Sequence, residues 1–364
     1  MKKLLVLGFL LAAALSTVIP RVTPIVTHPP ITYKVNLEDP PIKRWEKIVH
    51  DFAAPLKEFI DYFDLLPISP TFFEGVEWYA KNLYQHKDFV AEVEALAKLS
   101  GYPFSKLFFL NFFYEFSTFK ACTGVVIRNS DGNILHGRNL DFEMWNIISN
   151  LVTNVEYYKN GERVFSVDTV VGSVFALTGI RHGAFAINVD TRKADHFYED
   201  LISLMEDNAY PTVWLLRRTL EDQTTYSDAI KRLKAEKIGG PVYYVVSGVS
   251  GNEGGVIERD TEDVHAFYEL TDETWFLVQT NYDRDQPEPL HDPRRIPAED
   301  RVKANGPGFT EEALLKLIMS EWPTFNIATI MTAIMVPGTG YHNTTVWYGN
   351  NPETTEAHAY LRQE

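Results

Sequence analysis

Cys122 is the single cysteine among 364 residues, and it opens the run Cys122-Thr-Gly-Val-Val-Ile-Arg-Asn-Ser-Asp-Gly-Asn-Ile-Leu-His-Gly-Arg138-Asn-Leu-Asp141. Apolar stretches on either side of Ser130-Asp131-Gly132-Asn133 read as a β-hairpin. With Asp131-Gly132 as a two-residue loop, Cys122 faces Asp141 across the hairpin, with β-carbons about 5 Å apart. Arg138 is three residues from Asp141, which puts it on the opposite face of a regular strand. A bulge at Gly137 or a kink at Asn139 would return it to the same side. The unit thus gathers a thiol, a carboxylate and a guanidinium.

Such a thiol lacks a base. A neighbouring carboxylate raises its pKa, and this register brings no histidine close. Cutting the chain before Cys122 supplies one, because the freed α-amine, with an intrinsic pKa of about 8, can take the thiol proton. That is the logic of an N-terminal nucleophile hydrolase. Other chemistries are absent from the sequence. Gly248-Val-Ser-Gly-Asn252 fails the last position of a Gly-x-Ser-x-Gly elbow, and no His-Glu-x-x-His pair, phosphate loop or dinucleotide fingerprint occurs. Cys122 also lacks the Cys-Gly-Ser-Cys-Trp surroundings of papain-type enzymes. One cysteine excludes an intrachain disulfide and a Cys/Cys zinc site, and the hydrolysis such a nucleophile performs requires no metal or organic cofactor. A net charge of −15 sets nucleic acid aside.

The elements that must position these residues fall into two parts. Helical patterning runs from about 43 to 119, broken at Pro67, Pro70 and Gly101-Tyr102-Pro103, after a strand at 32–36 that Pro40-Pro41 ends. Phe104, Phe108, Phe109, Phe112, Phe113, Phe116 and Phe119 form one helical stripe, read either as core packing or as a lipid-chain groove or membrane-touching face. From Cys122 onward short strands dominate, near 163–170, 184–190, 242–248, 255–259, 264–269 and 274–280. A second two-residue turn falls in Lys159-Asn160-Gly161-Glu162. Helices are predicted at about 210–221, 224–236 and 310–320. Hairpins interleaved with helix pairs predict stacked antiparallel sheets covered by helices. At the N-terminus, Lys2-Lys3, the apolar run Leu4 to Leu15 and Ser16 read as a secretory signal peptide, too short to span a bilayer. Its loss takes the charge from −15 to −17, an acidity partly neutralised only in an acidic compartment. Asn343-Thr344-Thr345 is a glycosylation sequon.

Four motifs together resemble the acid ceramidase and N-acylethanolamine-hydrolysing acid amidase family: Cys122-Thr, His136-Gly-Arg-Asn-Leu-Asp141-Phe142, Gln279-Thr-Asn-Tyr-Asp-Arg284 and Asp292-Pro-Arg-Arg295. Pro29 to Trp45 extends the likeness over nearly all of the mature chain. The resemblance implies an α+β fold, the αββα sandwich of two antiparallel sheets typical of N-terminal nucleophile hydrolases, preceded by a helical segment. It implies three parts: a signal peptide at 1–16, a helical α subunit at 17–121 and a catalytic β subunit at 122–364, released from one precursor by self-cleavage at Ala121-Cys122. Cys122 looks like the nucleophile, Arg138 and Asp141 like the pair holding the α-amine and the substrate carbonyl, and Asn281 like the amide that donates to the oxyanion. Arg294 matches a supporting arginine, and Asn188 a second oxyanion contact through its backbone. Thr191 stands where an acidic residue is expected, Pro293 interrupts the usual Asp-Asp-Arg-Arg run, and the extra ceramidase cysteines are missing.

The implied protein is a lysosomal amidase, exported by the secretory route and glycosylated, that cleaves fatty-acid amides. N-Acylethanolamines such as palmitoylethanolamide are the expected substrates, with the Phe-rich helix meeting a membrane surface or micelle. The short link from Phe142 to Val152 resembles the acylethanolamine branch, whereas Gln279–Arg284 is more ceramidase-like, so ceramide is the alternative substrate. A more distant alternative is a lipid-binding protein without catalysis. Apart from the resemblance, a lone buried cysteine is usually inert, Arg138 with Asp141 a structural ion pair, and Asn281 a turn residue.

Overall fold

A computed structural model describes residues 27–63, 69–82, 84–112, 114, 122–142, 145–192, 209–290 and 292–347. Two sheets stack face to face. The first runs in the order β1 (Thr27–His28), β14 (Tyr341–Trp347), β13 (Thr329–Val336), β4 (Ile134–Asp141), β3 (Thr123–Arg128) and β12 (Phe276–Gln279). The second runs β11 (Val264–Glu269), β10 (Gly254–Arg259), β9 (Val242–Ser247), β8 (Phe185–Thr191), β7 (Thr178–Arg181), β6 (Glu162–Val170), β5 (Val152–Lys159) and β2 (Ile31–Asn36). Neighbours are antiparallel except β2, which joins β5 in parallel. The purely antiparallel expectation is corrected at this edge. β2 comes from the distant N-terminal segment, so no tight hairpin dictates its direction.

Val126, Ile134, Val245, Val256 and Leu277 pack between the sheets. Two helices in the N-terminal part lead in: α1 (Pro41–Asp51) and α2 (Ala53–Phe63), followed by α3 (Pro70–Asn82), α4 (Lys87–Ser100) and α5 (Phe104–Leu110). α6 (Thr212–Asp222) and α7 (Tyr226–Ala235) cover the second sheet. α8 (Arg295–Asn305) and α9 (Glu311–Leu314, continuing as a π-helix to Met319) cover the first, over Val125, Ile127, Leu135 and Ile334. This is the expected αββα sandwich. The strands at 178–181, 329–336 and 341–347 and the helix at 295–305 were not foreseen. β13 is buried along its whole length, so its residues show no alternation to read.

Local chemistry sets the N-terminal segment. Pro41 stands at the first position of α1, where its missing N–H goes unmissed, so Pro40-Pro41 ends a strand and starts a helix. Gly101, with φ 76°, closes α4. The Phe-rich helix stops at Leu110. Asn111 donates through Nδ2 to Leu107 O and Gly172 O and accepts the Val174 N–H, tying the helix end to a loop of the sandwich. Phe108 and Phe112 are buried against Tyr84 and Phe89, and Phe89 meets Trp214 of α6. Phe113, Phe116, Phe119 and the signal segment lie outside the described residues. Among the described residues no helix is long and apolar enough to cross a membrane.

Candidate active site

The hairpin β3–β4 is the scaffold, and its register differs by one from the expectation. Thr123 faces Asn139 and Gly124 faces Arg138. Asn129 N–H bonds Asn133 O, which leaves Ser130-Asp131-Gly132 as a three-residue loop with Gly132 at φ 81°. Asn129 Oδ1 holds this loop by accepting from the N–H groups of Asp131 and Asn133. The one-residue change moves every pairing, as a period of two demands. Continued one pair beyond Thr123, this register sets Cys122 opposite Leu140, not Asp141. Arg138 therefore shares the inner face with Cys122 by simple alternation, with no bulge or kink in β4. Asp141 comes from the strand end, and the irregularity lies across from it in β13, between Thr329 and Met331.

The predicted residues gather here. Cys122 is buried. Arg138, fully buried, donates to Asp190 Oδ1 at 2.6 Å, to Val189 O at 2.9 Å and to Asn139 O at 2.8 Å. Arg294, also fully buried, donates through Nη1 to the Cys122 carbonyl at 2.6 Å and to Thr123 Oγ1 at 3.1 Å, and through Nη2 to Asn281 Oδ1 at 2.8 Å. Its Nε and Nη2 clasp Asp292, and Asp141 Oδ2 lies 3.6 Å from Nη1. Asp141 Oδ2 accepts from Asn326 Nδ2 at 2.8 Å, while its Oδ1 is buried without a hydrogen-bond partner.

Asn281 Nδ2 donates to Thr191 O at 2.8 Å and Thr191 Oγ1 at 3.0 Å. The residue standing in the expected acidic position thus orients the candidate oxyanion amide. Asn188 departs from its expected role. It sits mid-sheet, in register with both Thr178 and Val245, so its main chain belongs to the ladder. Its side chain donates to Asp190 at 2.9 Å and accepts from His136 Nε2 at 2.6 Å, and His136 Nδ1 takes the Ser247 hydroxyl at 2.9 Å. Asp190 and Asn326 are the members that sequence reasoning missed, while His136 and Asp292 stood within the motifs without an assigned role. Asp190 carried a usable signal, since it lies two residues after Asn188 and so on the same strand face.

Burial dominates the electrostatics. It pushes the Cys122 thiol up to about 11, opposed by Arg138 and reinforced by Asp190 and Asp141. It raises Asp141 to about 7 and Asp190 to about 6 against the pull of Arg294 and Arg138. Burial lowers His136 to about 4, so this imidazole is a neutral hydrogen-bonding link and not the base. The arrangement suits attack on a carbonyl carbon, with fixed donors around the sulfur.

A sandwich of this layering, with a buried thiol opening an inner strand, defines an N-terminal nucleophile hydrolase. Residues 122–309 match the family described as linear amide C–N hydrolases, choloylglycine hydrolase family. Residues 28–86 match one described as the beta subunit of N-acylethanolamine-hydrolyzing acid amidase, so the segment expected above as an α subunit carries the other label there. An N-acylethanolamine-hydrolyzing acid amidase of Mus musculus is 31% identical over 91% of this chain and 92% of that protein. The acid ceramidase of Mus musculus is 29% identical over 85% and 86%. The solved Caenorhabditis elegans N-acylethanolamine-hydrolyzing acid amidase ortholog superposes with a TM-score of 0.57 at 30% identity, covering 62% of this chain and 99% of that one. The chain belongs to the choloylglycine hydrolase family of linear amide C–N hydrolases, and it is an amide hydrolase.

Proposed function

We propose that this chain is a lysosomal, self-processing amidase of fatty-acid amides, acting on N-acylethanolamines such as palmitoylethanolamide. The observation that carries the lipid reading is a narrow apolar pocket between the N-terminal helices and the sandwich, lined by Phe59, Leu110, Tyr114, Phe142, Phe175 and Leu177 among others. An apolar lining of this kind suits the start of an aliphatic chain. It adjoins the thiol network, because Tyr114 OH donates to Val189 O, the carbonyl that Arg138 also holds. Phe142 follows Asp141 directly.

In this reading self-cleavage at Ala121-Cys122 frees the α-amine, and the unpartnered Oδ1 of Asp141 receives it. The amine takes the thiol proton, and sulfur attacks the acyl carbonyl. Release of the longer bond to Thr191 Oγ1 lets Asn281 donate to the oxyanion. The C–N bond breaks as the ammonium protonates the leaving amine. Water then hydrolyses the thioester, yielding fatty acid and restoring the thiol. The relatives named as N-acylethanolamine amidases support the amine as ethanolamine, and the acid ceramidase relative keeps ceramide as the second reading.

Export and a lysosomal site rest on the N-terminal segment, the acidity, and the exposure of Asn343, which a glycan acceptor requires. Contact with a membrane or micelle falls to the partly exposed Phe104 and Phe109 and to Trp78 of α3, 59% exposed, since Phe108 and Phe112 are inside.

Intact-mass analysis of the secreted protein at about pH 4.5 to 5 tests the mechanism, alongside Cys122→Ala. Two chains with amidase activity are expected from the wild type and one inactive chain from the variant. A single wild-type chain without activity overturns the mechanism, and equal cleavage in the variant assigns the cut to another protease. Turnover of palmitoylethanolamide against a short-chain ceramide decides the amine.

A further inference from the structure

Outside the thiol network, β10, β11 and the turn after β12 bring Glu258, His265 and Asp283 together, with one donor atom of each within 4.8 Å of the others. Glu258 is fully buried, its Oε1 accepting the Arg284 N–H at 2.9 Å while Oε2 has no partner. A buried carboxylate oxygen without a donor is costly, and a cation is what would satisfy it. Asp283 is half satisfied. Its Oδ1 takes Arg192 Nε at 2.6 Å and Tyr243 OH at 2.8 Å, whereas Oδ2 takes only Arg192 Nη2 at 2.9 Å and stands 3.9 Å from His265 Nε2. That gap is too wide for a hydrogen bond and is spanned by two ligands of one metal ion. On the other side of the ring, His265 Nδ1 lies 4.0 Å from Asp260 Oδ2, likewise beyond hydrogen-bond reach, so Asp260 adds negative charge beside the imidazole without fixing it. Arg192 bridges Asp260 and Asp283 and holds both carboxylates in place.

We propose that Glu258, His265 and Asp283 bind a divalent transition metal of the zinc class. One nitrogen and two carboxylate donors leave a fourth position for water, and the nitrogen favours zinc or cobalt over calcium or magnesium. The site lies apart from the thiol but on its supporting segment, since Asp283 is two residues beyond Asn281.

The test uses the full secreted protein, freed of metal by chelation, at pH 7.5. Zinc chloride is followed by calorimetry and cobalt(II) chloride by visible absorption. One zinc per chain is expected, with cobalt bands of a nitrogen- and oxygen-ligated site and no thiolate charge transfer. His265→Ala, at a side chain that is 40% exposed, should weaken binding by at least roughly 10- to 100-fold with the fold retained by circular dichroism, and Cys122→Ala should leave binding unchanged. Absence of stoichiometric binding, equal affinity in His265→Ala, or loss of binding in Cys122→Ala would each overturn the proposal.

Discussion

Arg294 reaches the Cys122 carbonyl, Thr123 Oγ1, the Asn281 amide oxygen and Asp292 at once. Only a planar fork of five donors does this, and a lysine point charge does not. Arg294→Lys is therefore expected to lower kcat by roughly 100-fold through misplacement of the sulfur, with the fold retained by circular dichroism. Asn281→Ala removes the oxyanion donor and should cost about 100- to 1,000-fold in kcat with little change in KM. Steady-state kinetics on one amide substrate checks both. At this scale the sequence was largely legible, since Arg294 ties Asn281 and Asp141 to the Cys122 carbonyl, Arg138 shares the face of Cys122, and Asn188 joins them through Asp190. The functions of Thr191 and Asp190 were not legible, because each depends on a partner about 50 to 90 positions away.

Gly124 explains why the two sheets approach so closely at the site. A β-carbon there would meet Asn188 Oδ1 and Val245 Cγ2 at 2.8 Å, both on the opposing sheet. Gly124→Ala should cost about 1–3 kcal/mol and misplace Arg138, its cross-strand partner, visible as a lower Tm and a lower kcat. The attachment of the N-terminal helices rests on Glu92 of α4. It accepts from the buried Arg217 of α6 at 2.8 Å and Trp45 at 2.8 Å, and from the part-buried Arg44 at 2.7 Å. Burial opposes its charge, but Arg217 and Arg44 outweigh that and hold it ionised. Glu92→Gln leaves Arg217 buried and short of a counter-charge, with an expected loss of about 3–5 kcal/mol by denaturant unfolding. Element positions were readable from periodicity, turn residues and prolines. The register of the first hairpin was not, because the side chain of Asn129 selects a three-residue loop where Asp131-Gly132 alone suggested two.

For the whole molecule the buried acids set a pH preference. Asp141 and Asp190 have folded pKa values raised to about 7 and about 6, so between those values and about 4 the folded chain holds protons that the unfolded chain has released. The contribution of these two acids therefore rises as pH falls through that window, while His136 and His182, both lowered to about 4 by burial, oppose it below about 6.5. The carboxylates with lowered values, such as Asp51 at about 2, begin to withdraw their contribution only below about 4. Asp141→Asn should therefore lower Tm more at about pH 5 than at 7.5, as differential scanning calorimetry would show. The site itself thus adds to the pH dependence expected from the surface charge. The lone cysteine, its flanking motifs and the order of helices and hairpins were determined by sequence alone, because residue type and periodicity are local properties. Which face Arg138 takes, what orients Asn281 and where the apolar cavity opens were decided only by the tertiary structure. Those depend on registers and on contacts between two sheets and a helical segment, which become neighbours only when the core closes.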